Sequence, residues 1–246
     1  MKNSYLLVLL ALLFGCSQKS TDPITIYLAG DSTMSIKQDR AHPERGWGMF
    51  LQPHFSTEAT VDNRAMNGRS TKTFISEGRW ASILQTLAAG DWVIFQFGHN
   101  DSSKSKGERY TPPSQYRANL VRFVEETRAK NANPILCTPI VRRRFNEDGF
   151  YDTHGVYPGL VRSVADSLDV PLIDMHQSSM ALLKEMGAEA TKDLFLHIQP
   201  GEVPVLPEGL EDNTHFSPAG AEKMAGLFVD ELRKKEIPLA DYLKTP

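Results

Sequence analysis

The chain has only two cysteines in 246 residues, Cys16 and Cys137, so no disulfide framework holds it together. Neither stands in the Cys-x-x-Cys spacing used by zinc ribbons and thiol redox centres. It lacks an excess of positive charge as well: 27 Lys and Arg against 30 Asp and Glu leave a formal charge of -3. Such a chain offers no field to a polyanion, and nucleic acid is excluded as an expected partner. No His-Glu-x-x-His occurs among the seven histidines, so a familiar zinc-hydrolase signature is missing. His42, His54, His154, His176 and His197 are scattered and read as surface or satisfied core residues; no metal and no cofactor is expected. No internal repeat or low-complexity segment is found. What is present is 41% hydrophobic and 23% charged residues, enough to bury one sizeable core and incompatible with disorder.

The longest apolar run, Tyr5 to Phe14, has ten residues. As a helix it covers about half of a roughly 30 Å hydrocarbon layer, too little to span it. Placed behind Lys2 and before a polar stretch, it reads as an export signal. Leu13-Phe14-Gly15-Cys16 resembles a bacterial lipobox, with Phe14 a less usual residue at its place. The resemblance implies lipidation of Cys16 and membrane contact through that lipid alone, in the periplasm or at the outer membrane; plain secretion is the alternative. Residues 1–21 are therefore set aside as leader and tether, and 22–246 are expected to form one domain and a monomer. Cys137, inside the apolar run Pro134 to Cys137, reads as a core thiol.

Short β-rich runs at Ile24–Ala29, Thr60–Asn63, Trp92–Phe97, Asn133–Thr138 and Val170–Asp174 predict strands, two of them ending at Gly30 and Gly98. Between and after them, helical patterns cover Gly46–Gln52, Trp80–Ala88, Ser114–Lys130, Gly159–Leu168, Met175–Met186 and Pro218–Lys235. This alternation predicts a three-layer α/β/α domain with a central parallel sheet covered on both faces. Irregular stretches are expected at 98–112, 142–156 and 197–214, and ligands of open α/β sheets bind beyond the carboxyl ends of the strands.

Four segments carry residue types suited to acyl transfer. Gly30-Asp31-Ser32 directly follows the first strand, where a serine is lifted to the sheet edge and a following helix would aim its positive end at it. This is not the Gly-x-Ser-x-Gly elbow, because position 34 is Met. Alone, it reads as a turn or cap serine before it reads as a nucleophile. Asp212 and His215, ahead of the last helix, are spaced so that one loop presents both, the carboxylate fixing the tautomer of the imidazole. A passive histidine in a capping segment is the alternative. Asn67-Gly68 and Gly98-His99-Asn100-Asp101 offer an N–H and an amide side chain as oxyanion donors, although each is also an ordinary turn sequence.

In this order, Gly30-Asp31-Ser32, Asn67-Gly68, Gly98-His99-Asn100-Asp101 and Asp212-Asn213-Thr214-His215 resemble the four blocks of the SGNH/GDSL hydrolase superfamily. The longer matches Gly30 to Met34, Asn67 to Ser70, Phe97 to Asp101 and Asp212 to Ala221 are similar to its rhamnogalacturonan acetylesterase branch, which often has Gly where this chain has Asn213. The resemblance implies a flavodoxin-like fold and a serine esterase. Ser32 is then the nucleophile, His215 the general base and acid, and Asp212 the residue orienting it. The Ser32 and Gly68 N–H groups and the Asn100 side chain form the oxyanion hole. The implied substrate is an acetylated pectic polysaccharide or its oligosaccharides.

Arg142 and Arg143, with Arg144, follow the strand ending near Val141 and are candidates to pair with uronate carboxylates, alongside Arg69 and His99. Trp80 and Tyr110 are candidate sugar-stacking residues, and Trp47 reads as core. Other ester hydrolases (acetylxylan esterase, lysophospholipase, thioesterase) and a non-catalytic glycan-binding lipoprotein are the competing readings. A lipase-like activity needs an apolar channel beside Ser32, whereas the flanking loops are polar and charged.

Overall fold

The computed structural model describes residues 22–245; the expected export signal and Cys16 lie outside the described residues. Among those described, no helix is long and apolar enough to cross a membrane.

Five strands form a parallel sheet: β1 (Ile24–Gly30), β2 (Ala59–Asn63), β3 (Trp92–Gln96), β4 (Asn133–Cys137) and, after the short hairpin β5 (Phe145–Asn146) and β6 (Gly149–Phe150), β7 (Leu172–Ile173). The spatial order β2-β1-β3-β4-β7 is the flavodoxin-like order, whose direction of winding switches between β1 and β3. The alternation of side chains splits the core in two. Ile26, Leu28, Ile94 and Ile135 pack on one face with residues of α5 (Met175–Ala190) and α6 (Pro218–Lys234). Tyr27, Ala29, Val93, Phe95 and Leu136 face the other way. They meet α1 (Thr71–Ser76), α2 (Arg79–Thr86), α3 (Pro113–Ala129) and α4 (Tyr157–Ser167). Burial on both faces explains why these strands read as almost continuous apolar runs. Cys137 is a buried free thiol, its pKa raised by burial above the ordinary thiol range.

The structure differs from expectation in several elements. The segment expected to be helical at Gly46–Gln52 forms two 3-10 turns, Trp47–Phe50 and Gln52–His54, because Pro53 removes an N–H that a longer helix would need. Helix α1 was not expected; Ser70 caps it in a reciprocal capping box with Thr73. Helix α5 runs past Met186 to Ala190 with a break at Gly187. The stretch 197–214, expected to be irregular throughout, is so only over 199–209; its two ends belong to an antiparallel pair, β8 (Phe195–Ile198) and β9 (Leu210–Phe216). Asp212 and His215 therefore sit on a strand rather than in a loop.

Candidate active site

Ser32 leaves the carboxyl end of β1 beside the winding switch. The expected helix behind it is absent. Residues 31–35 form tight turns in which the Met34 and Ser35 N–H groups bond the Asp31 carbonyl, at 3.2 and 3.1 Å. Asp31 is buried and holds the turn by accepting from the Thr33 N–H and hydroxyl. In place of a helix dipole there is an ammonium. Lys37, itself buried, donates to the Ser32 carbonyl at 2.6 Å, to Asn67 Oδ1 and to Ser35 Oγ, and pairs with Glu44 at 2.7 Å. One cation thus clamps the serine turn to the segment carrying Gly68.

The β8–β9 hairpin brings the imidazole to the serine. Phe195 pairs with Phe216, but the next residue, Leu196, pairs with Asp212. Asn213, Thr214 and His215 are therefore extra residues bulged out of the ladder, and a bulge re-aims side chains. His215 Nε2 lies 2.9 Å from Ser32 Oγ, and its Nδ1 lies 2.7 Å from Asp212 Oδ2. Asp212 Oδ1 accepts the Thr214 and His215 N–H groups. Burial opposes both charges, yet the mutual hydrogen bond and attraction prevail: Asp212 is held at about 2, and the His215 pKa is raised. A side-chain chain of Asp212, His215 and Ser32 is the arrangement that draws a proton from a hydroxyl.

The two donor segments converge on the same place. Met66 N–H bonds the Gly30 carbonyl, and Asn100 Nδ2 bonds the Arg69 carbonyl at 2.9 Å, so the segments after β1, β2 and β3 are tied in sequence. Gly68 has φ of +75°, a conformation that L side chains rarely adopt, and a Cβ there would press on Arg109.

Beside Asp212 and His215 lies a cleft of about 390 Å³ whose basic wall is Lys106, Arg142 and Arg144. Arg142 reaches it anchored through the His99 carbonyl and the Thr153 hydroxyl. Arg143 does not: its guanidinium bonds Thr191, Asn213 Oδ1 and the Ala188 carbonyl, bracing the β9 bulge. The expectation of a substrate contact is corrected on that ground. Asn213 is held from both sides by Arg143 and His197. Arg69 pairs with Glu77 and with the Asn67 carbonyl. Trp80 is not at the rim; it is fully buried against Phe95 and Phe123, with its indole N–H on Glu126. Trp47 is core, as expected.

His99 is buried, and burial together with the charges of Arg142, His154 and His215 pushes its pKa well below the usual histidine range. Its Nδ1 meets His154 Nε2 at 3.3 Å, and Asp152 Oδ1 meets His154 Nδ1 at 3.2 Å and His176 Nε2 at 2.9 Å. The ligand atoms of Asp152, His154 and His176 lie within 4.8 Å of one another, a spacing that a cation can use. Hydrogen bonding explains it without one. A carboxylate accepts from both rings, which leaves His154 Nε2 to accept from His99 and fixes the tautomer of each. His154 and His176 are thus satisfied core residues. Among the residues that sequence reasoning missed, Lys37 left no signal beyond its proximity to Ser32, whereas Lys106 falls in the 98–112 stretch flagged as a strand exit.

Fold and site together define the class of small α/β hydrolases with a serine at the first strand exit and an Asp-x-x-His segment before the last helix. The chain belongs to the GDSL-like Lipase/Acylhydrolase family, whose model matches residues 28–223. It is 40% identical over 222 residues to the rhamnogalacturonan acetylesterase RhgT of Bacillus subtilis, covering 90% of this chain and 94% of that protein. A rhamnogalacturonan acetylesterase of Emericella nidulans is 25% identical, with 89% of each chain covered. Among solved structures, YxiM of Bacillus subtilis superposes with a TM-score of 0.75 at 27% identity, over 88% of this chain and 58% of that one. The acetylxylan esterase Axe2 of Geobacillus stearothermophilus shares the fold, with a TM-score of 0.61 at 20% identity over 86% of this chain and 94% of that one.

Proposed function

We propose that the protein is a serine esterase that removes O-acetyl groups from a rhamnogalacturonan-type pectic polysaccharide. The observation that carries this reading is the 2.9 Å contact of Ser32 Oγ with His215 Nε2, backed by Asp212 at 2.7 Å. His215 takes the Ser32 proton as Oγ attacks the acetyl carbonyl. The N–H groups of Ser32 and Gly68 and the amide of Asn100 receive the oxyanion. His215 then protonates the departing sugar oxygen, leaving acetyl-serine, and a water molecule repeats the sequence to release acetate.

The acetylesterase relatives support the acetyl group and the pectic polymer. On the basic wall, Arg142 and Arg144 suit the carboxylates of a uronate-rich chain. The cleft's lining is polar, which disfavours a lysophospholipase or thioesterase, and a glycan-binding protein without hydrolysis has no need of an aligned serine and imidazole. On this reading residues 22–246 are one hydrolase domain behind an export leader. A lipid on Cys16 would tether it, and the enzyme works as a monomer without metal or cofactor. The deciding experiment is acetate release from acetylated rhamnogalacturonan by wild type and by Ser32→Ala. The variant is expected to keep the wild-type unfolding midpoint and lose at least a thousandfold in rate; an active variant would remove the mechanism.

A further inference from the structure

The amide of Asn100 has two ends, and only one of them is an oxyanion donor. Its Nδ2 gives one hydrogen to the Arg69 carbonyl at 2.9 Å, which leaves the second free, while its Oδ1 receives Lys106 Nζ at 2.9 Å. An ammonium has donors and no acceptor, so it tolerates only the amide oxygen opposite it. Rotation of the amide by 180° would set NH2 against NH3+ and lose the Arg69 bond as well. Lys106 comes from the 3-10 stretch Lys104–Arg109 just beyond the β3 exit and shares the cleft wall with Asp212 and His215.

We propose that Lys106 is the positioning residue of the oxyanion hole. It selects the orientation in which Asn100 Nδ2 faces the developing charge, and it polarises that amide through a charge-assisted hydrogen bond. Electron density drawn toward Oδ1 makes the opposite N–H a stronger donor, a coupling that chains of hydrogen bonds transmit in low-dielectric surroundings. Lys106 thus acts through Asn100 on every ester, whatever the alcohol. This rests on the esterase reading above. The competing role is direct attraction of a substrate carboxylate, which would act only on charged substrates.

Para-nitrophenyl acetate separates the two, because it offers no carboxylate and no sugar. Lys106→Met is expected to lower kcat on this ester on the order of tenfold with KM within about twofold. That is a fraction of the roughly 10²–10³-fold loss expected for Asn100→Ala. The double variant should be no slower than Asn100→Ala alone, since the second change has nothing left to act through. Lys106→Gln, which keeps a neutral donor, should recover part of the loss. Wild-type kcat in Lys106→Met, or a further tenfold loss in the double variant, would overturn the proposal. Unfolding midpoints equal to wild type, measured in parallel, keep a folding defect from imitating the expected result. Hydrolysis by Ser32→Ala would instead bring down the esterase reading itself, so the two failures are told apart.

Discussion

At Asp212 the chemistry turns on a single hydrogen bond. Burial pulls the His215 pKa down, and the bond and charge of Asp212 more than reverse it, so the ring stays protonated to a higher pH than an ordinary histidine. Only the neutral ring can accept the Ser32 proton, so kcat/KM should rise with pH along a limb whose midpoint lies above the ordinary 6.5. Asp212→Asn removes the charge that raises it. In that variant the limb should move to lower pH, and the plateau rate should fall because the tautomer is no longer held. A pH–rate profile on para-nitrophenyl acetate measures both, and an unmoved limb would mean that Asp212 does not set the base. The pairing of Asp212 with His215 was legible from their spacing, but the meeting of His215 with Ser32 was not. Ser32 and His215 are 183 residues apart, and no local pattern states that they meet. Only the ordered set of four blocks, read as a family resemblance, joined them, and it was silent on Lys37 and Lys106 because a lone lysine forms no pattern.

The elements read best were those whose burial is uniform. Strands β1, β3 and β4 lie buried between helices, and α3 carries its buried residues Tyr116, Leu120, Phe123, Val124 and Thr127 on one stripe, so composition alone marked them. Elements dictated by tertiary contact were read poorly. Strand β9 has the sequence Leu-Glu-Asp-Asn-Thr-His-Phe, which is polar because its residues face the cleft or the bulge, and polarity reads as loop. Helix α1 spans only six residues, too few to show a period, and exists because Ser70 caps it. The meeting of α6 with the turn before β8 depends on a glycine whose role is visible only in three dimensions. A Cβ at Gly220 would stand 1.8 Å from the Leu194 carbonyl oxygen. Because that obstacle is backbone and not a flexible side chain, Gly220→Ala must push α6 outward and should cost about 1–3 kcal/mol. Denaturant unfolding reads this directly, and an unchanged midpoint would show that the contact yields freely. The displaced helix start also carries Ser217, two residues from His215, so activity should fall with stability.

Across the whole molecule, the buried ionisable groups fall into two opposed sets. His154, held neutral by burial at about 4, and His99, pushed by burial well below the ordinary histidine range, bind protons more weakly when folded than when unfolded. Their contribution to stability is lost as pH falls below the ordinary histidine value of 6.5. Asp101, raised by burial to about 7, and Asp31, raised in the same direction, bind protons more strongly when folded. The Asp101 contribution is largest at low pH and is lost as pH rises toward 7, and that of Asp31 falls in the same direction. His215 is protonated in both states below 6.5 and adds no slope there, and Asp212, at about 2, acts only below the ordinary carboxylate range. Between pH 4.5 and 6.5 the two sets oppose each other at about 1.4 kcal/mol per pH unit for each proton. Removing one side exposes the other. Asp101→Asn should lose stability on acidification relative to wild type, driven by His99 and His154, while His154→Gln should gain it. Urea midpoints at pH 4.5 and 6.5 for the three proteins decide the matter: the two variants must depart from wild type in opposite directions, and parallel shifts would show that these groups do not titrate differently in the folded and unfolded chain.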